Sequence, residues 1–343
     1  MTIFLCKGSA AAVVTNEADV AIGTDTSGSV RTPASLCGLV GIKPTYGLVP
    51  QTGVLLAEPT MDHSGLLTRT VLENASALEA IAGPDGFDTT QDYLFANRTD
   101  LDLNYTRRIA ESVAGMKIGL LEEGFDLPGS DPAVNAIVRK AIYTAFEALG
   151  ITVVEMSIPE HRTLVRPLRA GIEYEGSYVG MLANNMGAIG RTDPAIPELA
   201  HTFSRWRQHP MNMPPALRLG VLTVEHVASE FGRGHFYGKA QNLRRQLRAA
   251  YDRALGDVEI LAMPAMGVTA TEYPIHNLPI DIDIATDVRY SHPVHNFSQF
   301  NLSGHPAIVI PCGQVIKNFN GMSTTVLYSY KEIMSRVRES LFD

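Results

Sequence analysis

The stretch from residue 117 to residue 159 narrows the choice of fold more than any other part of the chain. "KIGLL" (117 to 121) is a short apolar run of strand type. "SDPAVNAIVRKAIYTAFEALG" (130 to 150) follows, with Ser130 or Asp131 placed to cap a helix, Pro132 in its first turn and Gly150 to stop it. Val134, Val138, Ile142, Ala145 and Leu149 recur along one face of that helix. "ITVVEMSIP" (151 to 159) then reads as a second strand. A strand, a helix and a strand in this order make a β-α-β unit, whose strands are expected to pair in parallel.

The rest of the chain extends that alternation. "ADVAIGTD" (18 to 25), "VGIKPT" (40 to 45), "VEILAMPAM" (258 to 266) and "PAIVIPCG" (306 to 313) read as further strands. "VRTPASLCGL" suits a short helix, because Pro33 falls in a first turn where its missing N–H does no harm. Residues 160 to 256 are mostly helical in pattern, and Leu243, Leu247, Tyr251 and Leu255 recur every four residues before Gly256. Residues 267 to 300, rich in Pro, Asp and His, read as a long surface loop. The expected class is α/β, with a mostly parallel sheet covered by helices on both faces.

Composition excludes several functions. The 343 residues are 45% hydrophobic and 19% charged, enough to bury a sizeable core within one domain. A formal net charge of −8 argues against a nucleic-acid groove or an anionic membrane surface as partner. The pair Arg244-Arg245 reads as part of a solvated helix face. Three scattered cysteines, Cys6, Cys37 and Cys312, with no CxxC, point to neither a disulfide framework nor a zinc site, and a reducing cytoplasm is the expected location. Cys37 and Cys312 read as small buried hydrophobes. The first residues lack the charged and apolar regions of a signal peptide, and no apolar run is long enough to span a membrane.

Chemistry concentrates in "GTDTSGSVRTP" (23 to 33). A loop of Gly, Ser and Thr at the end of a strand can turn several N–H groups toward one point, as an oxyanion requires. A serine closing such a loop is placed for acyl transfer. The same residue types also make plain turns, so the stretch by itself leaves both readings open. Elsewhere, Gly-x-Ser-x-Gly is absent. His292 and His295 in "HPVH" lack a carboxylate partner, and "DIDIATD" (281 to 287) lacks the glycine of a calcium loop. His63 reads as structural, and Tyr46 as packing against the serine loop.

In its wider context the run "GSAAAVV…VAIGTDTSGSVRTPASLCGLVGIKPTYGLVP" resembles the signature of the amidase signature family. The resemblance continues through "LAEPTMDHSGLLTRTVLENASALEAIAG" and returns in "FNLSGHPAIVIPCG". It implies an amidase-signature α/β fold with a central mixed, mostly parallel sheet, in one domain over 1–343. Residues 8–83 would be its signature core, 160–256 a mostly helical variable region and 314–343 an atypical C-terminal tail. It also implies cleavage of a carboxamide C–N bond through a Ser–Ser–Lys triad, with no metal or organic cofactor. The partner would be a small-molecule amide, with a homodimer admissible. Ser29 matches the nucleophile, the backbone of Thr26, Ser27, Gly28 and Ser29 the oxyanion segment, and Asp25 and Arg31 the residues that shape the loop.

The pattern is broken at its start. Counting back from Ser9, the bridging serine of the triad falls at Leu5, its neighbouring serine at Cys6 and a loop glycine at Lys7. The family lysine belongs to a region before residue 1, so the domain is expected to be N-terminally truncated. Lys7 is the nearest substitute base, with nothing in the sequence to fix its direction. After Gly313 no strand is evident in "QVIKNFNGMSTTVLYSY". Three readings of function follow: an amidase, a non-catalytic copy of one, and the A-type subunit of a tRNA-dependent amidotransferase, which shares the signature.

Overall fold

The computed structural model describes residues 6–97, 101–177, 205–212, 215–270, 296–313, 315–319 and 322–326. Strands β1 (Val20–Asp25), β2 (Val40–Lys43), β3 (His63–Thr68) and β7 (Ala307–Val309) form one sheet in the order β1-β3-β2-β7, antiparallel throughout. Helices α1 (Lys7–Val14) and α2 (Arg31–Cys37) cover one of its faces, where Ala10, Val13, Val30 and Ala34 pack on Leu67 and Val309. Helix α3 (Val71–Ile81) covers the other, setting Leu78 against Leu66 and Val49. The sequence ends these helices locally. Gly38 closes α2 in the left-handed conformation at φ 68°, and a reciprocal Thr70–Glu73 capping box opens α3.

Two glycines let these layers close. Gly23 and Gly65 face each other across the β1–β3 ladder. A Cβ on Gly65 would lie 2.3 Å from the Ile42 carbonyl oxygen, and one on Gly23 would lie 2.5 Å from Cys6 Sγ.

The β-α-β unit is present as read. Strands β4 (Lys117–Leu121) and β5 (Thr152–Met156) pair in parallel through helix α4 (Pro132–Ala148), and β6 (Ile260–Ala262) adds in parallel on the far side of β4. Asp131 caps α4 by accepting the Ala133 N–H at 2.9 Å, and Gly150 adopts φ 72° just past its end. Leu120, Phe125 and Ile142 fill the space beneath α4. Helices α5 (Val165–Arg169), α6 (Pro215–Phe231) and α7 (His235–Ala254) follow. Leu247, Ala250 and Tyr251 of α7 bury against Leu121, Leu168 and Ile172. Each such aliphatic side chain contributes about 1.5–3 kcal/mol when fully removed from water.

Among the described residues, parallel pairing is confined to β5-β4-β6 and the signature strands pair antiparallel in a separate sheet, in place of one mostly parallel sheet. Several expectations need correction. Residues 296–300 are not part of a surface loop. Asn296, Phe297, Ser298 and Gln299 are buried, and helix α8 (Ser298–Ser303) closes on the signature loop. The remainder of that segment, 271–295, with His292, His295 and "DIDIATD", lies outside the described residues. Strands β8 (Val315–Phe319) and β9 (Met322–Val326) form a hairpin where no strand was evident. Cys37 is exposed rather than a buried hydrophobe, since α2 turns it outward at its last turn. Cys312 is half-buried, and burial pushes its thiol up to about 11.

Candidate active site

Ser29 lies in the turn that joins β1 to α2, 8% exposed. Gly28 precedes it at φ 115°, and a Cβ there would come within 2.6 Å of Phe297. Only glycine meets both demands. Asp25, the last residue of β1, organises the turn. Its Oδ1 accepts the Gly28 N–H at 2.8 Å, and its Oδ2 accepts the Val30 N–H at 3.3 Å. Arg31 pairs with it through Nη2 at 2.9 Å and Nε at 3.0 Å, and both side chains are fully buried.

A buried ion pair is tolerated only where its remaining donors and acceptors are met. Here α8 meets them. Arg31 Nη1 donates to the Phe297 carbonyl at 3.1 Å and Nη2 to Asn301 Oδ1 at 2.6 Å. Asn301 Nδ2 donates back to the Asp25 carbonyl at 2.7 Å and to Asp25 Oδ1 at 2.9 Å. Burial alone would raise the Asp25 carboxyl, but the Arg31 guanidinium and the Asn301 amide outweigh it and hold it below the usual carboxylate range.

The hydroxyls before Ser29 are held by two further carboxylates. Thr26 Oγ1 donates to Asp62 Oδ1 at 2.5 Å, and Ser27 Oγ donates to Glu173 Oε2 at 2.8 Å. Asp62 Oδ2 also accepts the N–H groups of Ala57 and Glu58 at 2.6 and 3.0 Å. Burial pushes the Asp62 carboxyl up to about 7 against these donors. The Gly28 N–H of this segment is committed to Asp25.

The other side of Ser29 is bordered by the start of the chain. The Cys6 N–H donates to the Ser29 carbonyl at 3.0 Å, and Cys6 Sγ donates to the Thr24 carbonyl at 3.4 Å. Residue 6 thus runs alongside the Ser29 turn. Burial raises the Cys6 thiol, which keeps it protonated and unsuited to be a base. Lys7 heads α1, and Leu5 lies outside the described residues. Among the described residues, no side chain hydrogen-bonds the Ser29 hydroxyl and no cluster could hold a metal ion.

Sequence reasoning passed over several polar residues that the fold gathers here. Lys43 is fully buried at the end of β2, its Nζ donating to the Pro44 carbonyl at 2.8 Å. Burial and the nearby Arg31 push its ammonium well down, with Asp25 opposing. A lysine inside a run read as a buried strand was the available signal. His63 is structural: its Nδ1 meets the Met61 carbonyl at 2.7 Å, and burial keeps the ring neutral. Tyr46 packs edge-on against His63, donates its hydroxyl to the Pro59 carbonyl and its N–H to the Gly304 carbonyl. Its contacts are thus with those segments. Arg245 is exposed on α7, as read, whereas Arg244 is half-buried and donates from Nη1 to Gln241 Oε1 at 3.2 Å.

The amidase family model matches residues 7–326. The chain belongs to the amidase signature family. An enantioselective amidase from Rhodococcus rhodochrous is 36% identical over 310 residues, which are 90% of this chain and 57% of that protein. The A-type subunit of the glutamyl-tRNA(Gln) amidotransferase from Synechococcus sp. (strain RCC307) is 31% identical over 319 residues, covering 89% of this chain and 59% of that protein. The crystal structure of its counterpart from Thermotoga maritima superposes with a TM-score of 0.62 at 27% identity, covering 93% of this chain and 60% of that one. The chain thus spans about three-fifths of the length of the relatives it matches. Among the described residues, no helix is long and apolar enough to cross a membrane.

Proposed function

We propose that this chain carries the nucleophile and oxyanion segment of a hydrolase that cleaves a carboxamide C–N bond. The observation that carries the reading is the buried Asp25–Arg31–Asn301 hub. It fixes both ends of the turn that presents Ser29 and leaves neighbouring N–H groups free of the hub. Ser29 Oγ attacks the amide carbonyl and gives up its proton. The carbonyl oxygen takes the negative charge beside the N–H groups of Thr26, Ser27 and Ser29. The C–N bond breaks as the nitrogen receives a proton, and the amine leaves. Water then attacks the Ser29 ester, releasing the acid and restoring the hydroxyl. The resemblance assigns the proton transfers to a lysine acting through a bridging serine. The similarity to the enantioselective amidase supports an amide as substrate.

A second reading is a chain that binds amides without turning them over. A fluorophosphonate probe separates the two. An active hydrolase acquires an adduct that mass spectrometry places on Ser29, and Ser29→Ala abolishes it. A folded chain without an adduct supports the non-catalytic reading. The similarity to amidotransferase subunits supports a third. It requires co-purifying partners, and hydrolysis of simple amides by the isolated chain excludes it.

A further inference from the structure

Each of the three residues before Ser29 is tied to a different carboxylate. Asp62 holds the Thr26 hydroxyl, Glu173 the Ser27 hydroxyl and Asp25 the Gly28 N–H. Asp25 and Asp62 belong to the signature segment. Glu173 comes from 146 positions beyond Ser27, on a π turn (Ala170–Tyr174) that continues α5. π turns inside helices recur at functional sites because the extra residue re-aims the side chains around it.

Glu173 is itself fixed. Arg169 donates from Nε to Glu173 Oε2 and from Nη2 to Oε1 at 3.4 Å, with the two side chains 22% and 20% exposed. The guanidinium matters electrostatically, since an unpaired carboxylate beside an oxyanion would oppose the charge forming there. Arg31 does the same for Asp25.

We infer that Glu173 is a positioning residue for the oxyanion segment, acting through the Ser27 hydroxyl. With the Gly28 N–H engaged by Asp25, the segment depends more heavily on its neighbours, Ser27 among them. The direction of the Ser27 N–H follows from its backbone torsions, and its side chain is anchored at Glu173. Donors must already point at the oxyanion before reaction, and a misplacement of about 1 Å costs roughly a hundredfold in rate. The inference rests on the hydrolase reading, but one arm of its test does not.

The full chain is treated with a fluorophosphonate, and the rate of covalent capture is separated from reversible binding. Ser27→Ala and Glu173→Ala should each slow capture by about tenfold to a hundredfold, with reversible binding unchanged. The double variant should be no slower than the slower single one. Glu173→Gln keeps an acceptor oxygen and should recover part of the rate. Ser27→Ala leaves the Arg169–Glu173 pair intact, so it reports even if Glu173→Ala folds poorly. Amide hydrogen exchange of residues 23–33 is followed in parallel, with 117–156 as the internal control. It should quicken in both alanine variants only in the former segment. If the unsubstituted chain forms no adduct, the hydrolase reading fails, and the exchange data decide the positioning role alone. Wild-type capture with unchanged exchange in both alanine variants overturns the inference. So does unchanged exchange alone in a chain that forms no adduct.

Discussion

The two larger sheets among the described residues bury different mixtures of group. Around β5-β4-β6 the interior is aliphatic and aromatic, built from Leu120, Leu121, Ile142, Leu168, Leu247 and their neighbours. Around β1-β3-β2-β7 it holds Asp25, Arg31, Lys43, Glu58, Asp62 and His63 as well. A buried charge network is a poor way to gain stability, since desolvation offsets most of the attraction. It is a good way to fix a turn, because each bond has a direction. The comparison teaches that one half supplies cohesion while the other spends part of it on holding the Ser29 turn in one conformation.

The strongest challenge to that division is Arg31→Met. It leaves Asp25 buried without its counter-charge and should destabilise the fold by about 3–5 kcal/mol, read by urea unfolding. Little change would mean that the hub is not a single electrostatic unit. Leu247→Ala tests the other half. A cavity at a fully buried position should cost about 2–5 kcal/mol, yet at temperatures where the protein stays folded the rate of Ser29 capture should be unchanged. A fall in capture matching that of Arg31→Met would erase the distinction.

Acid and base provide a subtler comparison, because the halves respond with opposite sign. His161 joins α7 to the segment before α8, its Nδ1 meeting the Tyr251 hydroxyl at 2.6 Å and its Nε2 meeting Asn296 Oδ1 at 2.8 Å. Burial lowers its pKa to about 4. The unfolded chain therefore binds the proton more readily, and the stability that His161 contributes is lost as pH falls from about 6.5 toward 4. Asp62 has a pKa raised by burial to about 7, so its contribution is intact below about 4 and is lost as pH rises toward 7. His161→Phe should remove part of the loss of stability as pH falls, and Asp62→Asn part of the loss as pH rises toward 7. If the two variants move the profile in the same direction, the opposed signs are wrong. The smallest effect is expected at Arg162, whose ion pair with the exposed Asp126 lies on the surface. Arg162→Ala should change stability by less than about 1 kcal/mol, and a thermal melt suffices to check it.

What was legible in the sequence follows the range of the interactions. The β-α-β unit could be read because Asp131, Pro132 and Gly150 act within their own helix and its stripe repeats locally. Asp25, Ser29 and Arg31 could be read because the turn contacts itself over a few residues. Asn301 meets Asp25 across 276 positions, and Glu173 meets Ser27 across 146. Neither shares a period or spacing with its partner, so the pattern that marks the turn says nothing of what braces it. The burial of 296–300 escapes the sequence for a related reason. The segment reads as a loop from its Pro, Asp and His content, whereas here Asn296 donates to the Gly124 and Pro264 carbonyls and Ser298 to the Ser27 carbonyl.

Gly23 and Gly65, opposite each other beneath the turn, set a limit on how such a molecule can change. The hydroxyl residues above them can be exchanged one at a time, each altering one bond. A methyl group on Gly65 would collide with the main chain of β2, and one on Gly23 with the residue that runs beside Ser29. Variation at Gly65 is therefore closed to single steps, variation at Gly23 requires Cys6 to move with it, and the floor of the site should outlast its walls as the chain diverges.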